Sequence, residues 1–224
     1  MGKMIEFTRP DGQTAPGYLA EPSDPQCRRG VVMFEEWWGV NDQMKETADR
    51  LERDGFRVLV PDLFRGQVAD TRERAGHMME GLDFGDAATQ DAPGAAHYLR
   101  ARGAQKVAVS GFCMGGALAL LAAMKSRDFD AVVTWYGLPP PEAGDSAQIG
   151  VPIQGHWAVH DEFFSSDKAD ALDRKLAAAG VPHEFHRYDA KHGFYNPGGL
   201  GNYNREHAES AWRRMVDFLN RTMA

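Results

Sequence analysis

Short apolar runs alternate with longer amphipathic stretches along nearly the whole chain. This alternation predicts a mostly parallel β-sheet with helices on both faces. Two strands, at 3–9 and 15–20, are joined through Asp11-Gly12, a strong signal for a hairpin turn. Further strands are predicted at 30–34, 56–60, 106–110, 131–136, 152–156 and 183–188, and helices at 41–54, 71–80, 86–102, 116–123, 167–179 and 203–219. We expect one doubly wound α/β domain, residues 1–224, with an N-terminal hairpin.

One junction between a predicted strand and a predicted helix carries Gly111-Phe112-Cys113-Met114-Gly115. It matches the G-x-S-x-G nucleophile turn of α/β-hydrolases, with cysteine in place of serine. A strand that turns at once into a helix strains the backbone at the tip, and the flanking glycines avoid a collision across the turn. We expect the Cys113 thiol to project above the sheet edge, over a helix N-terminus that favours the thiolate. The alternative is a structural cysteine in a glycine-rich turn.

Two other predicted strand ends carry residues that complete this chemistry. In α/β-hydrolases the acid follows the nucleophile in the chain and the histidine comes last. Asp161 follows one strand and His192 lies just beyond the last strand. His192 is predicted to take the thiol proton and return it to a leaving group, while Asp161 orients the imidazole. Asp189 competes for the orienting role. Each residue taken alone is better explained as an ordinary loop residue, whereas the chain order and the three strand ends together favour the triad.

The end of the first parallel strand carries Phe34-Glu35-Glu36-Trp37-Trp38. Glu36 is expected at the same sheet edge as Cys113, and the backbone N–H groups of Trp37 and Met114 are candidates for an oxyanion hole. The alternative is a solvated pair of glutamates. Aromatic side chains near strand ends are candidates for lining an apolar pocket, or else belong to the core: Trp37, Trp38, Trp135, Tyr136 and Phe164.

Composition narrows the range of partners. A net charge of −7 leaves no basic excess to neutralise nucleic-acid phosphates, and no apolar run approaches the length of a membrane span. Only Cys27 and Cys113 are present, which argues against a disulfide framework and favours a reducing cytoplasm. The histidine pairs at 156/160 and 183/186 lack the further ligands of a metal site, so no metal is predicted. We expect a small-molecule substrate, no nucleic-acid or membrane partner, and a monomer or weak homo-oligomer.

At this point the chain resembles the dienelactone hydrolase family of α/β-hydrolases. The resemblance rests on Glu36-x-x-Gly39-Val40-Asn41, Pro61-Asp62-Leu63, the cysteine turn extended by Gly116, Asp161-x-Phe163 and His192-Gly193-Phe194. It implies an α/β-hydrolase fold, a Cys113–His192–Asp161 triad, and hydrolysis of esters or lactones without metal or cofactor. It also implies that Glu36 contacts the resting thiol and helps to activate it when substrate binds.

The chain departs from this family at the residues expected to hold a substrate carboxylate. The resemblance implies two arginines, and Arg72 or Arg74 is the candidate for the first. Where the second is expected, shortly after His192, the chain has Tyr195 and Asn196, which carry no charge. The predicted substrate-binding residues are Arg72, Arg74, Trp38, Phe164, Tyr195 and Asn196. A solvated helix face is the alternative explanation for Arg65, Arg72 and Arg74.

Two other functions remain open on the sequence alone. The same triad would serve a thioesterase or an acyl transferase. A non-catalytic hydrolase-like domain would instead bind a ligand or sense oxidants through Cys113.

Overall fold

The sheet of this computed structural model, which describes residues 1–24 and 26–224, has eight strands. They are β1 (Lys3–Thr8), β2 (Thr14–Ala20), β3 (Arg29–Phe34), β4 (Arg57–Pro61), β5 (Lys106–Phe112), β6 (Ala131–Trp135), β7 (Ile153–His160) and β8 (His183–Lys191). Their order across the sheet is β1-β2-β4-β3-β5-β6-β7-β8. β2 is antiparallel to both of its neighbours, and every other neighbouring pair is parallel. The predicted N-terminal hairpin and the mostly parallel sheet are confirmed.

Helices cover both faces of this sheet. They are α1 (Asp42–Arg53), α2 (Arg72–Glu80), α3 (Phe84–Asp86), α4 (Ala92–Ala101), α5 (Met114–Lys125), α6 (Ser166–Ala178) and α7 (Arg205–Thr222). α4, α5 and α6 bury their apolar side chains in one core, whereas α1 and α7 bury theirs in the core on the opposite face. Alternate strand residues enter the two cores, as Val31 and Val32 of β3 illustrate, because successive side chains of a strand point to opposite faces. The doubly wound arrangement is therefore confirmed.

The helix predicted at 86–102 differs from the observed segment. The structure begins the helical segment at Phe84 and widens it into a π-helical turn, Ala87–Asp91, before α4 continues the chain. Pro93 lies in the first turn of α4 and has no N–H to continue the α-helical ladder, which explains the wider turn before it. The turn places the buried Asp91 carboxylate 2.9 Å from the Arg65 guanidinium.

The carboxyl ends of β7 and β8 position the candidate site. Both strands run further than the sequence predicts, β7 through His160 and β8 through Lys191. Asp161 and His192 therefore follow their strands directly. Because β5, β7 and β8 point in the same direction, these ends meet at the edge that carries Cys113. No helix within residues 1–24 and 26–224 has the length and apolar character needed to cross a membrane.

Candidate active site

The turn between β5 and α5 holds Cys113 in a backbone conformation that side chains rarely adopt. Its φ is 53° and its ψ is −115°, and α5 begins at the next residue. Glycine is required on both sides: a Cβ on Gly111 would lie 2.1 Å from the carbonyl oxygen of Gly115, and a Cβ on Gly115 would lie 2.5 Å from that of Glu35. Strain of this kind persists only where the surrounding structure enforces it, and it is common at functional sites.

His192 lies between Cys113 and Asp161 and contacts both. Its Nε2 is 3.0 Å from the Cys113 sulfur, and its Nδ1 is 2.8 Å from Oδ2 of Asp161. The other Asp161 oxygen accepts hydrogen bonds from the backbone N–H groups of Phe163 and Phe164, each at 2.8 Å. This carboxylate is therefore fixed on both sides, and the imidazole is oriented with one nitrogen towards the sulfur.

Asp189, the competing carboxylate, lies elsewhere. Its side chain is exposed and pairs with the exposed His160 at 2.6 Å, so it has no contact with His192. The register of β8 explains this, because Asp189 is still within the strand, three residues before His192. The backbone of His192 is held from another direction, since Asn202 donates a hydrogen bond to its carbonyl oxygen at 2.9 Å.

Glu36 is buried two residues beyond the end of β3, and both of its carboxylate oxygens have partners. The Tyr136 hydroxyl donates to Oε1 at 3.2 Å, and the Asn196 amide donates to Oε2 at 2.6 Å. Burial raises the pKa of Glu36 above its ordinary value, against the opposing effects of Asn196, His192 and Tyr136. Glu36 thus lines the same cavity as Cys113, with hydrogen bonds to Tyr136 and Asn196, while the thiol faces His192.

The surroundings of the Cys113 sulfur shift its pKa upward. Burial raises its pKa far above the ordinary value, and the nearby Glu36 and Asp161 charges add to this effect. The backbone N–H of Met114, at the start of α5, acts in the opposite direction and lowers the pKa. The helix N-terminus thus acts in the predicted direction, but burial and the two carboxylates together have the larger effect on the pKa of Cys113.

A cavity of 120 Å³ opens beside Cys113. Eight residues predicted from the sequence line it: Glu36, Trp37, Trp38, Cys113, Met114, Phe164, His192 and Asn196. Sequence reasoning missed Met79, Phe163 and Leu200, which also line it. Phe163 is half exposed, and its ring centroid lies 4.8 Å from that of His192. Apolar and aromatic side chains thus surround the sulfur and the imidazole.

Three predicted substrate-binding residues lie outside this cavity. Tyr195 turns away from it and stacks between Phe112 and Trp212, with ring centroids at 5.0 and 5.6 Å. Burial raises the pKa of Tyr195 to about 12. Arg72 is exposed on α2, and Arg74 lines a separate cleft of 690 Å³. Neither guanidinium lines the cavity beside Cys113, because α2 presents Met79 to it instead.

The remaining histidine pairs and Cys27 have other neighbours. The side chain of His156 is buried and bonded to the Tyr188 hydroxyl and the Gln154 side chain, both at 2.9 Å. His183 pairs with Asp173 at 2.8 Å. Cys27 and Cys113 are both free thiols. No group of three histidine, cysteine or acidic side chains with metal-binding geometry occurs in the part of the chain that the structure describes.

Taken together, the sheet order and the strand–turn–helix at Cys113 define an α/β-hydrolase fold. The family model of the dienelactone hydrolase family matches residues 15–223. "Protein usf" of Aquifex pyrophilus is 34% identical over 229 residues, which cover 98% of this chain and 98% of that protein. The carboxymethylenebutenolidase of Rhodococcus opacus is 30% identical, with 97% of this chain and 90% of that protein covered.

A solved structure agrees with these sequence relatives. The dienelactone hydrolase-like promiscuous phosphotriesterase P91, from metagenomic libraries, is 25% identical and has a TM-score of 0.84, with 100% of this chain and 99% of that chain covered. The chain belongs to the dienelactone hydrolase family. It is an ester or lactone hydrolase that acts on a small-molecule substrate.

Proposed function

We propose that the protein hydrolyses its ester or lactone through a Cys113–His192–Asp161 triad and a covalent acyl-enzyme. The observation that carries this proposal is the unbroken chain of contacts from the sulfur through the imidazole to the carboxylate, at 3.0 and 2.8 Å. Nucleophile, base and orienting acid stand in the geometry that activates a weak nucleophile. The strained turn at Cys113 supports the same assignment.

In the acylation step, His192 Nε2 removes the thiol proton as the sulfur attacks the substrate carbonyl carbon. A carbon–sulfur bond forms, the carbon–oxygen bond to the leaving group breaks, and His192 returns the proton to the departing oxygen. With a lactone, that oxygen stays tethered to the acyl group. Asp161 holds the ring in place and stabilises the imidazolium while it carries the proton.

Deacylation repeats these transfers with water. His192 takes a proton from water as the water oxygen attacks the thioester carbon. The carbon–sulfur bond then breaks, and His192 passes the proton to the sulfur. The carboxylic acid product leaves and the thiol is restored. The backbone N–H groups of Trp37 and Met114, residues that line the same cavity, would stabilise the oxyanion formed in both steps.

Glu36 protects the nucleophile between turnovers in this proposal. Its charge adds to the burial that raises the pKa of Cys113, so the resting sulfur stays protonated. An exposed thiolate would be open to oxidation, whereas a buried thiol is far less reactive. Substrate that fills the cavity shifts Glu36 relative to the sulfur and lowers the barrier to proton transfer to His192.

The redox-sensing alternative is less consistent with the site. Sensor cysteines are accessible and have low pKa values. Cys113 is half-buried and has a raised pKa, and its partner is a base held by a carboxylate. Thioester hydrolysis and acyl transfer use the same acyl-enzyme, so the nature of the acyl acceptor separates them from ester hydrolysis.

Turnover of 4-nitrophenyl acetate by two matched cysteine variants tests the proposal. Cys113→Ala removes the nucleophile, and we expect kcat to fall by about 10⁴-fold or more. Cys27→Ala is the control, because that thiol lies in a surface loop with only backbone carbonyl partners. Near-normal turnover by Cys113→Ala would contradict the triad. Product analysis with added alcohol or thiol acceptors shows whether water is the preferred acceptor.

A further inference from the structure

The cavity beside Cys113 has no cationic side chain available to a substrate anion. Its walls are aromatic or aliphatic except for Glu36, Cys113, His192 and Asn196. Within residues 1–24 and 26–224, neither arginine nor lysine lines it. The one basic side chain, His192, already uses Nδ1 for Asp161 and turns Nε2 to the sulfur. A carboxylate on the substrate would thus be buried here without a charge partner, which is strongly unfavourable.

The polar groups at the wall are already committed to each other. Asn196 donates to Glu36 at 2.6 Å, and its carbonyl oxygen accepts from the backbone N–H of Gly198 at 2.8 Å. The other carboxylate oxygen of Glu36 accepts a hydrogen bond from the Tyr136 hydroxyl. Asn196 stands where the resemblance implies a substrate-binding arginine, yet it holds a protein carboxylate. An anionic substrate would also face the charge of Glu36 at short range.

The arginines in this part of the fold are directed elsewhere. Arg65 pairs with the buried Asp91 at 2.9 Å, and Arg50 pairs with Glu209 at 2.7 Å. Arg74 opens onto the separate 690 Å³ cleft, which Arg65 shares. α2 thus presents Arg74 to the 690 Å³ cleft and Met79 to the cavity beside Cys113.

The size of the cavity limits the substrate as well. An apolar protein cavity of about 150 Å³ accommodates benzene. The 120 Å³ beside Cys113 is somewhat smaller, which favours a short or branched acyl chain or a small lactone ring over a long acyl chain. The acyl part stays bonded to sulfur during catalysis, so it is the part of the substrate that must fit.

We propose that this hydrolase is selective for uncharged, compact acyl groups and discriminates against substrates that carry a carboxylate on the acyl part. This inference rests on the proposed Cys113 chemistry and names the substrate class of that site. It differs from carboxylate recognition by arginine, because selectivity here comes from an apolar wall and from the paired Glu36 and Asn196.

A matched substrate pair tests the charge selectivity. A small lactone carrying a carboxylate and the same lactone carrying a carboxamide have nearly equal size and differ in charge. We expect kcat/KM for the carboxamide to exceed that for the carboxylate by at least about 100-fold. Equal values, or a preference for the carboxylate, would overturn the inference. Arg74→Ala should leave the ratio unchanged, and a change would show that the second cleft takes part.

A designed cation gives an independent test at the half-buried cavity wall. Leu200→Arg should raise the carboxylate-to-carboxamide ratio of kcat/KM by at least about tenfold, because it supplies the missing charge partner. Leu200→Gln is the control of similar length without charge, and an equal ratio in both variants would overturn the argument. Circular dichroism identifies any variant that fails to fold.

The length of the substrate's acyl chain tests the size limit. With 4-nitrophenyl acetate, butanoate and octanoate, we expect kcat/KM for octanoate to be at least about tenfold lower than for the best short ester. Met79→Ala should narrow that gap by enlarging the cavity, and a wild-type preference for octanoate would overturn the size limit. Cys113→Ala separates the two levels. Full turnover by Cys113→Ala refutes the triad. If Cys113→Ala loses turnover while the wild type prefers the carboxylate substrate, only the inference on substrate class is refuted.

Discussion

Glu35 provides a sensitive test of how this site is built, because it is a carboxyl group buried directly beside Glu36. Its side chain is 0% exposed, and Oε1 accepts a hydrogen bond from the Leu63 N–H at 3.0 Å. Oε2 is buried without a partner among the residues that the structure describes. Burial raises the pKa of Glu35 well above its ordinary value of 4.5, and the nearby Asp62 adds to the effect. We expect Glu35 to keep its proton well above that value.

The consequence for stability has a definite sign. Above about pH 4.5 the unfolded chain has lost the Glu35 proton while the folded protein retains it. Raising the pH therefore lowers the free energy of unfolding by about 1.4 kcal/mol per pH unit from this group alone, up to the raised pKa. Glu35→Gln has no proton to lose. The free energy of unfolding of Glu35→Gln, minus that of the wild type, should therefore rise by about 1.4 kcal/mol per pH unit over the same range.

Urea unfolding followed by tryptophan fluorescence between about pH 5 and pH 7 measures this difference. Glu6→Gln is the control, because Glu6 is exposed on β1 and should produce no comparable slope. A pH-independent difference between Glu35→Gln and wild type would refute the conclusion that the buried carboxyl is protonated.

The remaining predictions concern the active site. Asp161→Asn should lower kcat by about 10²- to 10⁴-fold because it disrupts the orientation of the imidazole, whereas Asp189→Asn should keep kcat within about twofold of the wild type. The reverse order in a steady-state ester assay would contradict the assignment of Asp161. Glu36→Gln should move the pH profile of Cys113 alkylation by iodoacetamide to lower pH, since a charge that raises the thiol pKa is removed, and an unchanged profile would contradict that role. Gly115→Ala should destabilise the fold by at least about 2 kcal/mol in urea unfolding because its Cβ would lie 2.5 Å from a carbonyl oxygen, and wild-type stability would contradict that reasoning.

The strained turn at Cys113 could be predicted because its geometry is encoded locally. Gly111 and Gly115 leave room for backbone atoms that any side chain would meet, and the apolar segments on both sides specify a strand and a helix. Chain order was also informative: Asp161 and His192 follow parallel strands and meet at one sheet edge. The sequence favoured Asp161 but left Asp189 as a competitor, because the place of Asp189 depends on where β8 ends.

The walls of the cavity could not be predicted from the sequence with the same success. Tyr195 follows His192 by three residues, but the direction of a loop side chain depends on tertiary packing, and here its ring stacks on Phe112. Met79 and Leu200 come from a helix and a loop with no motif of their own. The only local signal at α2 was its arginines, which proved to lie outside the cavity. Which face of α2 lines the cavity beside Cys113 depends on packing against distant residues.

The covalent intermediate offers the most direct test of the central claim that Cys113 is the nucleophile. The measurement is mass spectrometry of enzyme quenched in acid within the first turnover of 4-nitrophenyl acetate, followed by peptide mapping. The account predicts one acetyl group per chain, located on the peptide that contains Cys113 and absent from Cys113→Ala. Acetylation of another residue during full turnover, or rapid turnover by Cys113→Ala, would contradict it.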